Sequence, residues 1–244
     1  MNSEDRSVFD LPFRRCDSVE KYGSDPDQII EVFDPASTAL GQVVLIHGGY
    51  WRPEFDRAHL RSYAGALADL GWRVQLIEYR RVPGFPNKSV EDIRAATVHC
   101  GGGILIGHSA GGHLALLATN EITTSIIKGV IALAPVGDLA SGELLGLDDG
   151  AIGLFLGGFA ANRPDLDPNL TLNTTSPIVI IHGTNDIRVP VELSRNLNQS
   201  YNSAGLNCRL IEIESIGHFE LIDYRKPPLE IVIEELKKLY FPPD

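Results

Sequence analysis

Short runs of apolar residues, many of them β-branched, recur along the whole chain and are separated by longer segments of mixed polarity. Several of these runs are apolar at nearly every position, which is typical of strands that are buried on both faces. We therefore predict seven strands, at residues 28–33, 42–47, 73–79, 103–107, 129–133, 177–182 and 207–212.

Segments that are amphipathic or of helical length lie between these runs. The alternation of buried strands with helices indicates βαβ units, and therefore a mostly parallel central sheet with helices on both faces. Ser89 with Asp92 three residues later is interpreted as a helix start, and so is Pro190. The five predicted helices cover residues 57–70, 89–99, 110–120, 191–204 and about 226–240.

One segment, at about residues 138–175, breaks this alternation. It is dense in Gly, Asp, Asn and Pro and carries a small apolar patch at residues 152–159. A connection of this length is unusual in a compact domain unless it has a function. Two interpretations stay open: a surface excursion with one short helix, or a small cap over a site.

Composition places the chain among ordinary globular proteins. Its 244 residues are 43% hydrophobic and 22% charged, which fits one large α/β domain over residues 1–244. The 21 basic and 32 acidic residues give a formal net charge of −11. Because nucleic-acid binding depends on clustered basic residues, this charge argues against a nucleic-acid partner.

The three cysteines are odd in number and widely spaced, at Cys16, Cys100 and Cys208. This spacing predicts small buried thiols in a reducing compartment rather than a disulfide framework. The start of the sequence lacks a signal-peptide pattern, and no apolar stretch approaches the roughly 18–20 residues of a membrane span. We therefore expect a cytoplasmic protein without membrane contact, and the sequence leaves a homodimer open.

The strongest chemical signal is Gly107-His108-Ser109-Ala110-Gly111, which follows an apolar run and precedes a predicted helix. A nucleophilic serine exposed on a sharp strand-to-helix turn needs small neighbours, because strand and helix pack closely there. Gly107 and Gly111 supply them. The sequence therefore predicts a nucleophile elbow, with Ser109 as the nucleophile of a serine hydrolase.

A serine nucleophile requires a base and an acid that orients the base. In open α/β sheets such groups follow the carboxyl ends of strands, and Asp186 and His218 follow the last two predicted strands. The chain order Ser109, Asp186, His218 is the one expected for this chemistry. Asp138, which follows the fifth predicted strand, is an alternative acid, and we favour Asp186.

An oxyanion hole needs two backbone N–H donors, one after the nucleophile and one from an earlier loop. Ala110 supplies the first, and the glycines of His47-Gly48-Gly49-Tyr50-Trp51 allow Gly49 or Tyr50 to supply the second. No pair of histidines shows ligand spacing, so neither a metal nor another cofactor is expected. One serine needs only one base, so four histidines are predicted to brace loops or pack around the elbow: His47, His108, His113 and His182.

The His-Gly-Gly-Tyr-Trp loop, the Gly-His-Ser-Ala-Gly-Gly-His-Leu elbow, Asp186 and His218 together resemble the α/β-hydrolase superfamily. The resemblance is greatest to its esterase and lipase-like branch, which contains the kynurenine formamidases (arylformamidases), and it spans about residues 43–218. It implies an α/β-hydrolase fold with a triad of Ser109, Asp186 and His218. The oxyanion-hole residues that it implies are Gly48, Gly49 and Ala110.

Four residues are candidates for substrate contacts. Tyr50 and Trp51 are expected either to form an aromatic wall beside the acyl or aryl group, or to pack under the loop. Arg52 and Arg188 are candidates to bind a substrate carboxylate through two hydrogen bonds, although surface solvation is favoured for both.

The residues together predict a metal-free serine hydrolase for a small carboxylic ester or amide, and the resemblance adds an aryl formamide such as N-formylkynurenine. A general short-acyl carboxylesterase is the alternative within that class. A non-catalytic binding protein with the hydrolase fold is the alternative from another class, and the intact set of triad residues argues against it.

Overall fold

The computed structural model describes residues 4–120 and 126–242. Within these ranges, eight strands form one sheet. The strands are β1 (Ser18–Lys21), β2 (Ile29–Phe33), β3 (Gly41–Ile46), β4 (Trp72–Ile77), β5 (Gly103–His108), β6 (Ile127–Leu133), β7 (Ile178–Gly183) and β8 (Cys208–Ile213).

The strands lie in the order β1-β2-β4-β3-β5-β6-β7-β8. Only the pairings β1–β2 and β2–β4 are antiparallel, and every other neighbouring pair in the described sheet is parallel. The predicted mostly parallel α/β sheet is confirmed, and the seven predicted strands correspond to β2–β8. The sequence analysis missed β1, because this short edge strand is largely exposed and so lacks the apolar run that marks the others.

The described helices are α1 (Arg61–Asp69), α2 (Pro86–His99), α3 (Ala110–Ala118), α4 (Leu139–Leu144), α5 (Leu147–Leu156), α6 (Val191–Ser203) and α7 (Pro228–Tyr240). Helices α1 and α7 bury their apolar residues in one cluster, and α2, α3 and α6 bury theirs in another. Successive residues of β3 alternate between the two clusters, as the pleat of a strand requires. The sheet is therefore covered on both faces, as predicted. None of the described helices has the length and apolarity needed to cross a membrane.

Two helix starts differ from the prediction. The predicted helix at 57–70 begins as a 3₁₀ turn, Arg57–Leu60, before α1. The prediction that Ser89 starts a helix is wrong, since α2 begins one turn earlier at Pro86. The Ser89 hydroxyl instead donates to the carbonyl of Arg80 over 2.7 Å, so it serves a tertiary contact rather than a cap. Helix α6 begins directly after Pro190, as predicted.

The segment at 138–175 contains α4, α5 and two 3₁₀ turns, Ala160–Asn162 and Pro164–Leu166, where one interpretation expected a single short helix. Ile152 and Phe155 of α5 are buried in the same apolar cluster as α2, α3 and α6. The segment is therefore packed onto the domain. It also contributes to the cavity described below.

Candidate active site

Ser109 stands between β5 and α3 with φ of 57° and ψ of −119°, a conformation that side chains other than glycine rarely adopt. The turn is tight enough to exclude side chains on both sides of the serine. A Cβ on Gly107 would lie 2.2 Å from the carbonyl oxygen of Gly111, and one on Gly111 would lie 2.3 Å from that of Ile46. The sharp strand-to-helix turn predicted from the Gly-x-Ser-x-Gly pattern is present.

Asp186 and His218 follow β7 and β8 and meet at the carboxyl edge of the sheet. Nδ1 of His218 lies 2.6 Å from Oδ2 of Asp186, and both side chains are buried. The other carboxylate oxygen, Oδ1, accepts hydrogen bonds of 2.8 Å from the backbone N–H groups of Arg188 and Val189. The Asp186 carboxylate is thus held on both sides, which fixes the orientation of the His218 ring.

The electrostatics of this pair favour a charged carboxylate. Burial alone would raise the pKa of Asp186. The neighbouring His218 and a hydrogen bond from His182 to Asp186 instead hold that pKa below its ordinary value. Asp186 is therefore ionised at neutral pH and accepts the proton on Nδ1 of His218. In the neutral ring this tautomer leaves Nε2 unprotonated and able to accept a proton.

Ser109 and His218 both line one cavity of about 500 Å³. Within the described ranges, no hydrogen bond of 3.5 Å or less joins the Ser109 hydroxyl to His218. The structure thus brings the histidine and the acid into contact and places the serine and the histidine in the lining of one cavity.

The walls of this cavity are mainly apolar, with four phenylalanines: Phe9, Phe13, Phe55 and Phe219. Two of them belong to the segment at 4–13, which the sequence analysis did not connect with the site. That segment contains only a short 3₁₀ turn, Ser7–Asp10, which is too short to show a period. Its two phenylalanines, Phe9 and Phe13, were the available signal.

The glycines of the loop after β3 bring backbone against the nucleophile. A Cβ on Gly48 would lie 2.9 Å from the Cβ of Ser109, and Gly49, at φ of 106°, lines the cavity. The N–H of Ala110 lies in the first turn of α3, where a helix offers it no acceptor. Two backbone segments that can carry oxyanion donors therefore lie beside Ser109.

Tyr50 and Trp51 point to different places. Tyr50 lines the cavity, and its hydroxyl donates to the carbonyl of Arg188 over 2.8 Å. Trp51 instead stacks on Phe155 of α5 with ring centroids 4.3 Å apart, and it is not among the residues that line the cavity. Trp51 therefore packs under the loop, as one of the two interpretations predicted. Of these two aromatic residues, Tyr50 is the one that contacts the cavity.

Comparison with known proteins places this arrangement in a family. The alpha/beta hydrolase family model matches residues 43–214, well over half of the chain. The chain belongs to the alpha/beta hydrolase family. The match confirms the predicted fold and the superfamily that the sequence resembles.

Two curated relatives of this alpha/beta hydrolase are named kynurenine formamidase. The one from Salmo salar is 26% identical, over 83% of this chain and 74% of its own length. The one from Danio rerio is 23% identical over the same shares of the two chains.

Solved structures with a similar fold include two esterases. Esterase B from Lactobacillus rhamnosis, in a structure with a tributyrin phosphonate, has a TM-score of 0.76 at 21% identity, covering 93% of this chain and 88% of that one. The esterase Est2 from Thermogutta terrifontis has a TM-score of 0.71 at 22% identity, covering 93% and 94%. At these identities the likeness shows the fold alone.

A group that we call the buried charge cluster, formed by His47, Arg57, Glu78 and Arg81, lies beneath the loop after β3. Nδ1 of His47 lies 2.8 Å from the carbonyl oxygen of Gly48, and Nε2 lies 3.0 Å from Oε1 of Glu78. Arg81 pairs with the same carboxylate, and Arg57 donates to it from its backbone and its guanidinium at 3.1 Å each. Burial would raise the pKa of Glu78, but His47 and Arg81 hold it below its ordinary value.

Three further histidines of this hydrolase make structural hydrogen bonds. Nε2 of His108 donates to the backbone carbonyl of His218 over 3.1 Å, and Nε2 of His113 donates to that of Leu166 over 2.8 Å. Burial lowers the pKa of His108, and it lowers that of His113 to about 4, so both rings are neutral at pH 7. His182 bonds to Ser194 and to the carbonyl of Val189.

Asp138, the alternative acid, caps α4 and lies away from the site. Its Oδ1 accepts the N–H of Ser141 over 3.0 Å, and it is not among the cavity residues. Among residues 4–120 and 126–242, no group of three or more His, Cys, Asp or Glu side chains is placed to hold a metal ion.

A second charged group, which we call the rim charge cluster, is formed by Glu4, Arg52, Asp148 and Arg188. Nε of Arg52 lies 2.8 Å from Oδ2 of Asp148, and Arg52 is not among the residues that line the cavity. Nε and Nη2 of Arg188 each lie 2.9 Å from the Glu4 carboxylate. Asp148 and Arg188 also line the cavity.

Proposed function

We propose that this alpha/beta hydrolase is a serine hydrolase that cleaves small carboxylic esters or amides, with aryl formamides such as N-formylkynurenine as the favoured class. One observation carries the proposal: a serine in a strained elbow shares a cavity with a histidine that is hydrogen-bonded to a buried aspartate. The relatives named kynurenine formamidase support the choice of substrate class.

In the proposed mechanism, Oγ of Ser109 attacks the substrate carbonyl carbon while Nε2 of His218 takes the hydroxyl proton. Asp186 stabilises the imidazolium that forms and keeps its orientation. The N–H groups of Ala110 and Gly49 donate to the oxyanion of the tetrahedral intermediate, and Gly48 brings that loop against Ser109. His218 then gives its proton to the leaving amine or alkoxide, and the acyl group stays on Ser109. Water next attacks the acyl carbon while giving a proton to His218, and the acid is released as Oγ of Ser109 takes that proton back.

The cavity suits an aryl substrate. Its four phenylalanines can pack on a ring, and aromatic contacts of this kind contribute roughly 0.5–1.5 kcal/mol beyond the area they bury. A formyl group is the smallest acyl group, so the backbone of the Gly48–Gly49 loop can approach its oxygen closely. The aromatic contact is thus assigned to these phenylalanines and to Tyr50.

The nucleophile is tested with a fluorophosphonate probe and with Ser109→Ala. We expect a covalent adduct at Ser109 and a loss of about 10⁴–10⁶ in kcat in the variant, since the hydroxyl that attacks is gone. Ser62→Ala is the matched control, because Ser62 also lines the cavity but lies outside the elbow, on α1. Near-normal turnover by Ser109→Ala would refute Ser109 as the nucleophile, whereas an unlabelled Ser109 with no turnover would leave a non-catalytic binding protein.

The second candidate is a general short-acyl carboxylesterase, which the names of the similar solved structures favour. A hydrolysis panel of N-formylkynurenine, aryl acetates and butyryl esters separates the two. The formamidase assignment predicts a higher kcat/KM for N-formylkynurenine than for any butyryl ester. Efficient cleavage of butyryl esters with no reaction of N-formylkynurenine would establish the carboxylesterase instead.

A further inference from the structure

Arg188 is held rigidly beside the proposed acid. Its backbone N–H donates to Oδ1 of Asp186, and its carbonyl accepts the hydroxyl of Tyr50, each over 2.8 Å. Its side chain lines the cavity that contains Ser109 and His218. These two hydrogen bonds fix the backbone of Arg188 at the edge of the cavity.

The guanidinium is bound by a carboxylate from the same chain. Nε of Arg188 lies 2.9 and 3.1 Å from the two oxygens of Glu4, and Nη2 lies 2.9 Å from Oε2. This is the forked geometry in which arginine recognises a planar carboxylate. Asp148 lies on another side of the guanidinium, with its Oδ1 3.7 Å from Nη1 of Arg188.

Glu4 belongs to a segment that separates two cavities. Glu4 and Asp5 line a second cavity of about 210 Å³, while Arg6, Val8 and Phe9 line the main one, and both cavities reach His218. An exposed ion pair helps to hold the start of this segment. Nζ of Lys226 lies 3.5 Å from Asp5, and both side chains are more than a third exposed.

An exchange of carboxylates at Arg188 would conserve its hydrogen bonds. The Arg188 side chain is 34% exposed, so an incoming carboxylate can reach it and would restore the hydrogen bonds that Glu4 gives up. The chain carries a net charge of −11 and repels anions at long range, so a carboxylate ligand depends on a specific cation.

We propose that Arg188 is a specificity-determining residue that binds a carboxylate on the substrate, and that Glu4 competes with that carboxylate for Arg188. The rest of the ligand is an apolar or aromatic group, because phenylalanines form the adjoining walls. A phosphate dianion fits less well, since Glu54, Asp56 and Asp148 also line the cavity. This inference rests on the proposed function, because it assigns specificity to the same cavity.

The test measures binding separately from turnover. Calorimetry compares 3-phenylpropanoate with its uncharged amide, 3-phenylpropanamide, on the unmodified protein, Glu4→Gln and Arg188→Gln. We expect Glu4→Gln to tighten the acid about three- to tenfold, because a competitor is removed, and Arg188→Gln to weaken it about tenfold. The Kd of the amide is expected to change less than twofold in both variants, which also shows that they are folded.

Two matched controls separate a specific contact from the general charge of the cavity. Glu54→Gln removes an acidic residue from the same cavity, and in the described ranges Glu54 has no ion pair with Arg188; Arg6→Gln removes the other cavity arginine. The proposal is overturned if Glu54→Gln tightens the acid as much as Glu4→Gln does. It is also overturned if Arg6→Gln weakens the acid as much as Arg188→Gln does, or if the acid does not bind better than the amide.

Turnover provides an independent test. Its substrates are 3-(4-acetoxyphenyl)propanoate and the corresponding amide, in which the acetate ester that reacts is the same. The acid-to-amide ratio of kcat/KM is expected to rise in Glu4→Gln and to fall about tenfold in Arg188→Gln, mainly through KM. If neither ester is cleaved and Ser109 is not labelled, the proposed function fails, while the calorimetry still decides whether Arg188 binds carboxylates.

Discussion

The two charged groups beside the cavity differ in burial more than in composition. In the buried charge cluster, the side chains of Glu78 and Arg81 are 2% and 4% exposed. In the rim charge cluster, those of Glu4 and Arg188 are 10% and 34% exposed. Both consist of arginines that pair with carboxylates. The most exposed arginine of the buried charge cluster, Arg57, is 13% exposed, against 34% for Arg188.

This difference in burial separates two roles. Buried charges must keep their partners, because an unpaired buried ion strongly destabilises the folded protein. The buried charge cluster therefore fixes the loop from His47 to Gly49. Charges in contact with water can exchange partners at small cost. The rim charge cluster therefore suits recognition of a ligand, whereas the buried charge cluster suits positioning of backbone donors.

The largest expected effect is on kcat, and it tests whether the buried carboxylate of Asp186 is the partner of His218. Asp186→Asn is expected to lower kcat by about 10⁴, because an amide cannot orient and stabilise the His218 imidazolium as an anion does. Asp138→Asn, the matched control in the helix cap, is expected to cost less than about tenfold. Steady-state kinetics on an activated ester would measure both, and the reverse ranking would move the acid to Asp138.

A smaller effect compares the two clusters directly. Glu78→Gln is expected to reduce the free energy of unfolding by about 3–5 kcal/mol, since it leaves Arg57 and Arg81 without their shared carboxylate. Glu4→Gln makes the same chemical change at the rim and is expected to cost less than about 1 kcal/mol. Urea unfolding of both variants gives the comparison, and equal losses would show that burial does not separate the clusters.

The smallest expected effect is a dependence of stability on pH. The pKa of His113 is lowered by burial to about 4 when the protein is folded, while the unfolded chain titrates near 6.5. The stability that this histidine contributes is therefore complete above pH 6.5 and is lost as the pH falls towards 4, by about 2 kcal/mol at pH 5.

His113→Asn is expected to flatten the stability profile between pH 7 and 5 in urea unfolding. Glu4→Gln serves as the rim control and is expected to leave the slope of that profile unchanged. An unchanged slope in His113→Asn would show that burial does not lower the pKa of this ring below its value in the unfolded chain.

Local patterns were enough to predict much of the fold and the candidate site. Apolar runs identified β2–β8, because strands in a covered parallel sheet are apolar on both faces. Gly107 and Gly111 indicated the elbow, because no larger residue fits where β5 turns into α3. By contrast, β1 was missed, and the start of α2 was misplaced because Ser89 makes a tertiary hydrogen bond.

The sequence by itself determined the order of strands and helices, the tight turn at Ser109 and the candidates Asp186 and His218, because each follows from neighbours along the chain. Only the tertiary structure decided that Trp51 packs on Phe155, that the segment at 4–13 forms a cavity wall, and that Arg188 pairs with Glu4. Glu4 and Arg188 are 184 residues apart. No local pattern carries a contact of that separation, because burial and exposure at the cavity rim are set by packing of the whole chain.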